Sequence, residues 1–147
     1  MPAPYRWVSS SSRQRGILPG ALLVGTDADG ADIYAGRAYH EGATLPAKVI
    51  PSKSACYISY DGEEVLKDEF EVLVSIIFTW KFSKDGLVPP DALEAGSTAD
   101  GEKLYFGRVL HEGGITPGKI QPSHGVCYYA FGGEERISHE YQVLVLL

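Results

Sequence analysis

The stretch Tyr34–Lys48, YAGRAYHEGATLPAK, returns as Tyr105–Lys119, YFGRVLHEGGITPGK. The shared frame is Tyr-x-Gly-Arg-x-x-His-Glu-Gly-x-x-x-Pro-x-Lys, and it occurs twice. One offset of 71 relates the copies: Asp29 to Asp100, Gly36 to Gly107, Cys56 to Cys127. At that shift, without gaps, 26 of the 56 residues from Pro19 to Val74 are identical to those from Pro90 to Val145. Self-similarity at a fixed period marks a repeat architecture. The chain therefore reads as one unit written twice, over residues 1–76 and 77–147. So small a body buries too little surface to offset its chain entropy, and the two copies are expected to share a core.

Outward from that frame the signals are those of strands and turns. Asp29-Gly30 lies between Ala21–Thr26 and Ala31–Tyr39, and Asp100-Gly101 between Ala92–Thr98 and Lys103–Leu110. Asp-Gly between apolar runs is a hairpin signal, because both residues tolerate positive φ. Gly36 and Gly107 fall inside the second strand of each hairpin, which points to a bulge or to a close approach by another backbone or a ligand. Pro46 and Pro51, like Pro117 and Pro122, bracket the segment carrying Lys48 or Lys119. Proline cannot donate to a ladder, so that segment is expected to be extended and at a sheet edge.

Ala55–Tyr60 and Val126–Phe131 follow as strands, each closed by a Gly-Glu-Glu turn, and Phe70–Phe78 and Tyr141–Leu147 are the last. Trp7-Val8 and Trp80-Lys81-Phe82 lead the two copies and are each expected to open a strand, with Ser9–Ser12 as a short polar edge or loop. No window of a dozen residues holds a 3.6-residue period free of Gly and Pro. Short strands punctuated by turns predict an all-β fold, two pseudo-symmetric tandem repeats of antiparallel strands packed as one compact body.

Composition narrows the function classes. The net charge is −6 and the pI about 5.1, which argues against nucleic acid, since a phosphate backbone needs a basic face. The longest apolar run, Val72–Trp80, is interrupted by Ser75 and Thr79 and is too short for membrane insertion as a helix. The opening MPAPYRWVSSSSRQRG has no apolar core of a secretory signal, so a cytoplasmic location is expected, with non-classical secretion as the route outward. The two cysteines stand at equivalent positions. They are expected to be buried free thiols in a reducing compartment, or else a pair meeting across a pseudo-twofold axis.

Enzymatic motifs are missing from the sequence: it has no Gly-x-Ser-x-Gly elbow, dinucleotide fingerprint or phosphate loop. Glu41 with Glu112, or Asp27 with Glu41, are the pairs a glycosidase reading would have to use. His40 and His111 lack a His-x-x-x-His partner and are expected to be satisfied by hydrogen bonds in a turn. Asp27, Asp29 and Asp32 fail the calcium-loop spacing, which would need glycine where Asp32 stands and glutamate where Ala38 stands. No metal, no cofactor and no catalysis are expected. Arg37 and Arg108 share a strand face with apolar groups and are expected to be half-buried, bridging to Glu63 or Glu134.

The combined pattern resembles the DM9 repeat family: Trp-Val near the start, Pro-x-x-Ala-Leu-x-x-Gly, Gly-Arg-x-x-His-Glu-Gly, Pro-x-Lys, Gly-Glu-Glu and a final Tyr/Phe-x-Val-Leu. That resemblance implies a metal-independent, mannose-binding lectin that recognises microbial surfaces, often as a homodimer. Related repeats also form recognition heads on natterin-like pore-forming toxins. The resemblance places the sugar site on an acidic residue after the first hairpin strand and on the Pro-x-Lys lysine, here Asp27 and Lys48, with Glu41 near in sequence. The second copy keeps Glu112 and Lys119 but has Thr98 for Asp27.

The chemistry of such a set suits a sugar. Vicinal hydroxyls both donate and accept, so their site wants carboxylates as acceptors and an ammonium as donor. Tyr34, Tyr39 or Tyr57 would add an apolar face for the ring carbons. The competing reading makes Lys48 and Lys119 edge-strand lysines that discourage aggregation and Asp27 a turn residue. The protein would then be an interaction or structural module using exposed β edges.

Overall fold

The structure, a computed structural model, describes residues 5–14, 16–75 and 77–147. Within them lie β1 (Tyr5–Ser11), β2 (Leu23–Thr26), β3 (Asp32–His40), β4 (Ala43–Ile50), β5 (Ala55–Tyr60), β6 (Glu63–Leu66) and β7 (Glu69–Ser75). The second half supplies β8 (Phe78–Lys84), β9 (Glu94–Ser97), β10 (Lys103–His111), β11 (Gly114–Gln121), β12 (Val126–Phe131), β13 (Glu134–Ser138) and β14 (Glu140–Leu146). Short 3-10 turns at Pro51–Lys53 and Pro122–His124 are the only helical elements among the described residues. The all-β expectation is met.

Every strand pairing is antiparallel. Eight strands close a ring in the order β4-β5-β6-β13-β12-β11-β10-β9, and β9 returns to β4 through Thr44 opposite Ser97. The two halves thus meet at two seams, β6 with β13 and β4 with β9. Outside the ring, β3 carries β7 and β1, and β10 carries β14 and β8.

Turn chemistry sets this ladder. In the Glu41-Gly42 turn both residues have positive φ, 47° and 84°, as do Glu112-Gly113 (48° and 81°) and Asp61-Gly62 (50° and 83°). Two left-handed residues in succession match the right-handed twist of the flanking strands and give a two-residue hairpin. His-Glu-Gly in the repeated frame is therefore first of all a hairpin tip. At Gly36 an added Cβ would sit 2.8 Å from the Glu71 carbonyl oxygen on β7 and 2.7 Å from Val49 Cγ2. The interior glycine marks a close backbone approach, and β3 keeps regular register with β4 there, with no bulge.

The hydrophobic core has a central portion drawn from both halves: Val24, Ala35 and Leu73 pack with Leu93, Ala95, Phe106 and Leu144. Several of these are equivalents at the 71-residue offset, so the shared core straddles a pseudo-twofold axis. A cluster built mostly from the first half contains Leu45, Val49, Ile58 and Phe70, and one from the second contains Ile120, Tyr129, Tyr141 and Val143.

Three local expectations need correction. The Pro-bracketed segment is not an edge: β4 is paired by β3 on one side and β5 on the other, and β11 by β10 and β12. Pro46 and Pro117 are accommodated because the second ladder on each strand begins beyond them, at Lys48 opposite Tyr57 and at Gly118 opposite Tyr129. The run Phe70–Phe78 is two strands, β7 ending at Ser75 and β8 starting at Phe78, with residue 76 outside the described residues. The arginine partners also differ. Arg37 Nε donates to Glu71 Oε1 at 2.7 Å, and Arg108 Nε to Gln142 Oε1 at 2.7 Å. Register explains this, since Arg37 stands opposite Glu71 and Arg108 opposite Gln142, whereas Glu63 and Glu134 begin strands on the far side of the ring. Each guanidinium also stacks on the leading tryptophan of its half, Trp7 at 4.3 Å and Trp80 at 4.2 Å.

Cys56 and Cys127 are both buried and free. Burial pushes the Cys56 thiol up to about 12, and Cys127 moves further in the same direction for the same reason. Thiolate is the reactive form. The folded protein is therefore expected to leave both thiols unlabelled by iodoacetamide at pH 8 over an hour, and unfolding in guanidinium to expose two, counted by mass spectrometry.

Candidate functional site

Lys48 and Lys119 are among the few charged side chains buried in the molecule, with residue exposures of 5% and 7%. Each belongs to the strand of the repeated frame, and each crosses to the other half of the chain. Lys48 Nζ lies 2.8 Å from Glu64 Oε2 and donates to the Ala130 carbonyl at 2.7 Å. Lys119 Nζ lies 3.1 Å from Glu135 Oε2 and donates to the Ser59 carbonyl at 2.7 Å. The partners are themselves equivalents, because Glu64 and Glu135, like Ser59 and Ala130, are 71 apart.

Aromatic rings complete each setting, one from each half. Lys48 Nζ is 5.5 Å from the Tyr57 ring centre and 5.8 Å from Phe131. Lys119 Nζ is 5.4 Å from Tyr128 and 5.5 Å from Tyr60. An ammonium within about 6 Å of a ring face is attracted to it. The glutamates are fixed in turn by the opposite half: Glu64 Oε1 accepts from Gly133 N at 2.9 Å, and Glu135 Oε1 from Gly62 N at 3.0 Å. An ammonium has three donors, and each lysine has committed two of them to the protein.

A cleft of about 540 Å³ opens beside Lys119. Its walls carry Tyr60, Asp61, Thr98, Asp100, Gln121, His124, Tyr128 and Glu135, with Ala43, Leu45 and Leu104 as its apolar part. Ligand clefts typically span about 300–1,000 Å³ with an apolar body and a few placed polar groups. His124 Nδ1 and the Tyr128 hydroxyl are 2.7 Å apart. Burial first, then the Glu135 charge, push the Tyr128 phenol above its usual value, so it stays a hydroxyl at neutral pH.

Thr98 and Lys119 line one cleft, and Glu112 is not among its walls. The first copy is wired differently from the expected trio. Lys48 is engaged with Glu64, whereas Asp27 meets Lys53 at 3.3 Å, and Glu41 meets His40 Nε2 at 3.0 Å. Lys53 also lies 2.7 Å from Asp29, whose carboxyl that contact holds below the usual range. Glu41 and Glu112 sit on hairpin tips that lean on the opposite half. An added Cβ on Gly42 would lie 3.3 Å from Ala99 Cβ, and one on Gly114 would lie 2.9 Å from Ala28 N. Each tip therefore adjoins the Asp-Gly turn of the other copy.

Of the three tyrosines, Tyr57 faces the lysine, Tyr34 packs against the core, and Tyr39 is 69% exposed. His40 approaches Lys67 Nζ at 3.2 Å, and His111 Nδ1 the Tyr129 hydroxyl at 2.9 Å. The sequence reading passed over Glu64, Glu135, Phe131 and Tyr60. Their signal was present: Gly-Glu-Glu recurs at the repeat offset, with its second glutamate serving the lysine.

A profile of the DM9 repeat matches residues 27–138. This chain belongs to the DM9 repeat family. Natterin-2 of Thalassophryne nattereri is 32% identical over 99 residues, which is 67% of this chain and 22% of that protein. The DM9 chain also shares its fold with the nematode sperm cell motility protein MFP2B, at a TM-score of 0.71 over 95% of this chain and 46% of the other. At 13% identity that likeness concerns the fold alone. The chain thus spans less than half of each of these relatives.

Proposed function

We propose that this protein is a lectin binding mannose-type sugars without a metal ion, with a site beside each buried lysine. Family membership is consistent with a carbohydrate-binding role. The supporting observation is the pair of lysine settings, each an ammonium held between a carboxylate and two aromatic rings, one of them beside an open cleft. The carboxylates accept from adjacent hydroxyls, the ammonium donates its third proton, and a ring covers the apolar face of the sugar. Asp27, Glu41 and Lys48, with Thr98, Glu112 and Lys119, are the side chains proposed to meet the sugar. Glu112, whose hairpin tip adjoins the Asp29-Gly30 turn, is proposed for the first site, and Glu41, whose tip adjoins the Asp100-Gly101 turn, for the second. One sugar in such a site binds at roughly millimolar strength, about 4 kcal/mol. Firm attachment to a microbial glycan then draws on both sites or on a homodimer.

A glycan array run with and without EDTA tests this reading. Mannan binding that survives chelation supports it, and silence across all glycans overturns it in favour of an interaction module working through β1 and β8, each paired on one side only among the described residues. Asp27→Asn is expected to weaken mannan binding about tenfold or more, since a hydrogen bond to a charged group contributes about 1.5–3 kcal/mol. The melting temperature should shift little, because the Lys53 that Asp27 meets is 41% exposed and such pairs contribute under about 1 kcal/mol.

A further inference from the structure

The two halves differ where the leading strand meets the 3-10 turn. In the first half a cavity of about 150 Å³ lies between β1 and the turn at Pro51–Lys53. Ile17, Leu18, Val49, Ala55, Phe70 and Val72 form its apolar body, and Ser10 also lines it. None of the described residues around it carries a charge. The second half fills the same place. Ile120 stands for Val49, Val126 for Ala55 and Tyr141 for Phe70, each the larger residue, and all three are buried. The loop there also closes down. A Cβ on Gly86 would lie 2.7 Å from the Pro122 carbonyl oxygen and 2.8 Å from Gly125 Cα, whereas the counterparts Pro51 and Ser54 line the cavity.

The polar groups differ in step. Ser83 stands opposite Tyr141 in the ladder, as Ser10 stands opposite Phe70. Both hydroxyls of the second pair donate to the Leu87 carbonyl, Ser83 at 2.8 Å and Tyr141 at 2.9 Å. In the first pair Phe70 has no hydroxyl, and the hydroxyl of half-buried Ser10 makes no hydrogen bond with the described residues.

We infer that this cavity binds a small neutral molecule, one six-membered ring in size, carrying a single hydroxyl. An apolar cavity of about 150 Å³ takes up benzene. The ring restores the contacts that the larger residues make in the second half, and the hydroxyl pairs with Ser10. An ion would exchange its hydration for walls without a countercharge. A monosaccharide would leave most of its hydroxyls unpaired against Ile17, Leu18 and Val72, so the inference stands apart from the lectin reading.

Titration calorimetry of the full chain with phenol, benzene and benzoate tests it. Phenol should bind at roughly millimolar strength, within the ceiling for so small a ligand. Benzoate, the same ring with a charge, should bind about tenfold more weakly or worse. The triple variant Val49→Ile/Ala55→Val/Phe70→Tyr has the residues that already pack in the second half. It should take up no phenol while keeping a cooperative thermal transition. Ser10→Ala should weaken phenol about threefold or more and leave benzene unchanged, the effect of one neutral hydrogen bond. Phe70→Tyr alone adds one oxygen beside Ser10 and should weaken phenol by a similar factor, which keeps the assignment testable if the triple variant does not fold. No binding of phenol, equal binding by the filled variants, or benzoate bound as tightly as phenol overturns the inference.

Discussion

Lys48→Ala is expected to lower stability by about 3–5 kcal/mol, read as a drop in the urea midpoint with an unchanged slope. The side chain of Lys48 is 6% exposed and that of Glu64 11%, so truncating the lysine strands a carboxylate away from water. The Ala130 carbonyl loses its donor in the same step. Removing one member of a buried pair is far more damaging than removing both, because the desolvated charge remains. The control is therefore Lys48→Met with Glu64→Leu, which should recover most of the loss. A single variant within about 1 kcal/mol of wild type would show that water reaches the pair freely, contrary to the geometry. This effect also bears on sugar binding, since loss of binding in Lys48→Ala cannot be separated from loss of the fold. Asp27 is the cleaner probe.

The second large effect is expected at the seams between the halves. Gly25 and Gly96 are equivalent, and each lies where one half touches the other. A Cβ on Gly96 would overlap the Thr44 carbonyl oxygen on β4, and one on Gly25 would sit 2.6 Å from Ile115 Cβ and 2.8 Å from its carbonyl oxygen on β11. Backbone cannot step aside as a flexible side chain can, so the seam must open. Gly96→Ala is expected to lose about 3 kcal/mol, at the upper end of overpacking effects. Thermal unfolding followed by circular dichroism measures it. Gly30→Ala serves as the comparison: a Cβ there meets nothing within 4 Å, so only the positive φ of 89° is penalised. A Gly96 variant as stable as the Gly30 variant would show that β9 does not close the ring through β4.

The secondary structure was legible because it is governed by local chemistry. Asp29-Gly30 and Asp100-Gly101 fall in the turns the sequence pointed to, although only the glycine of each takes positive φ, and Ala55–Tyr60 and Val126–Phe131 emerge as β5 and β12 with the bounds the pattern gave. The lysine environment was illegible for the opposite reason. Flanking prolines are a local signal and pointed to an edge, but burial of Lys48 depends on which strands arrive from far along the chain. Its partners are β6, through Glu64, and the backbone of β12, through Ala130. Arg37 failed likewise: choosing Glu71 over Glu63 requires knowing that β7 pairs with β3. Asp27, Lys48, Thr98 and Lys119 are legible through the resemblance to DM9 repeats. The glutamates and rings that surround the lysines are set by strands paired from far along the chain.

That each lysine ends on a carbonyl of the opposite half has a consequence for how little of this fold could stand alone. A polypeptide with one copy would carry an ammonium without its carbonyl acceptor and half of the central core facing water. Two such polypeptides would satisfy one another by trading the same contacts about a twofold axis. The two halves of this chain are arranged as such a pair would be, yet one mouth holds Asp27 and Lys53 and the other Thr98 and His124, a difference that no symmetric pair of identical chains is free to have.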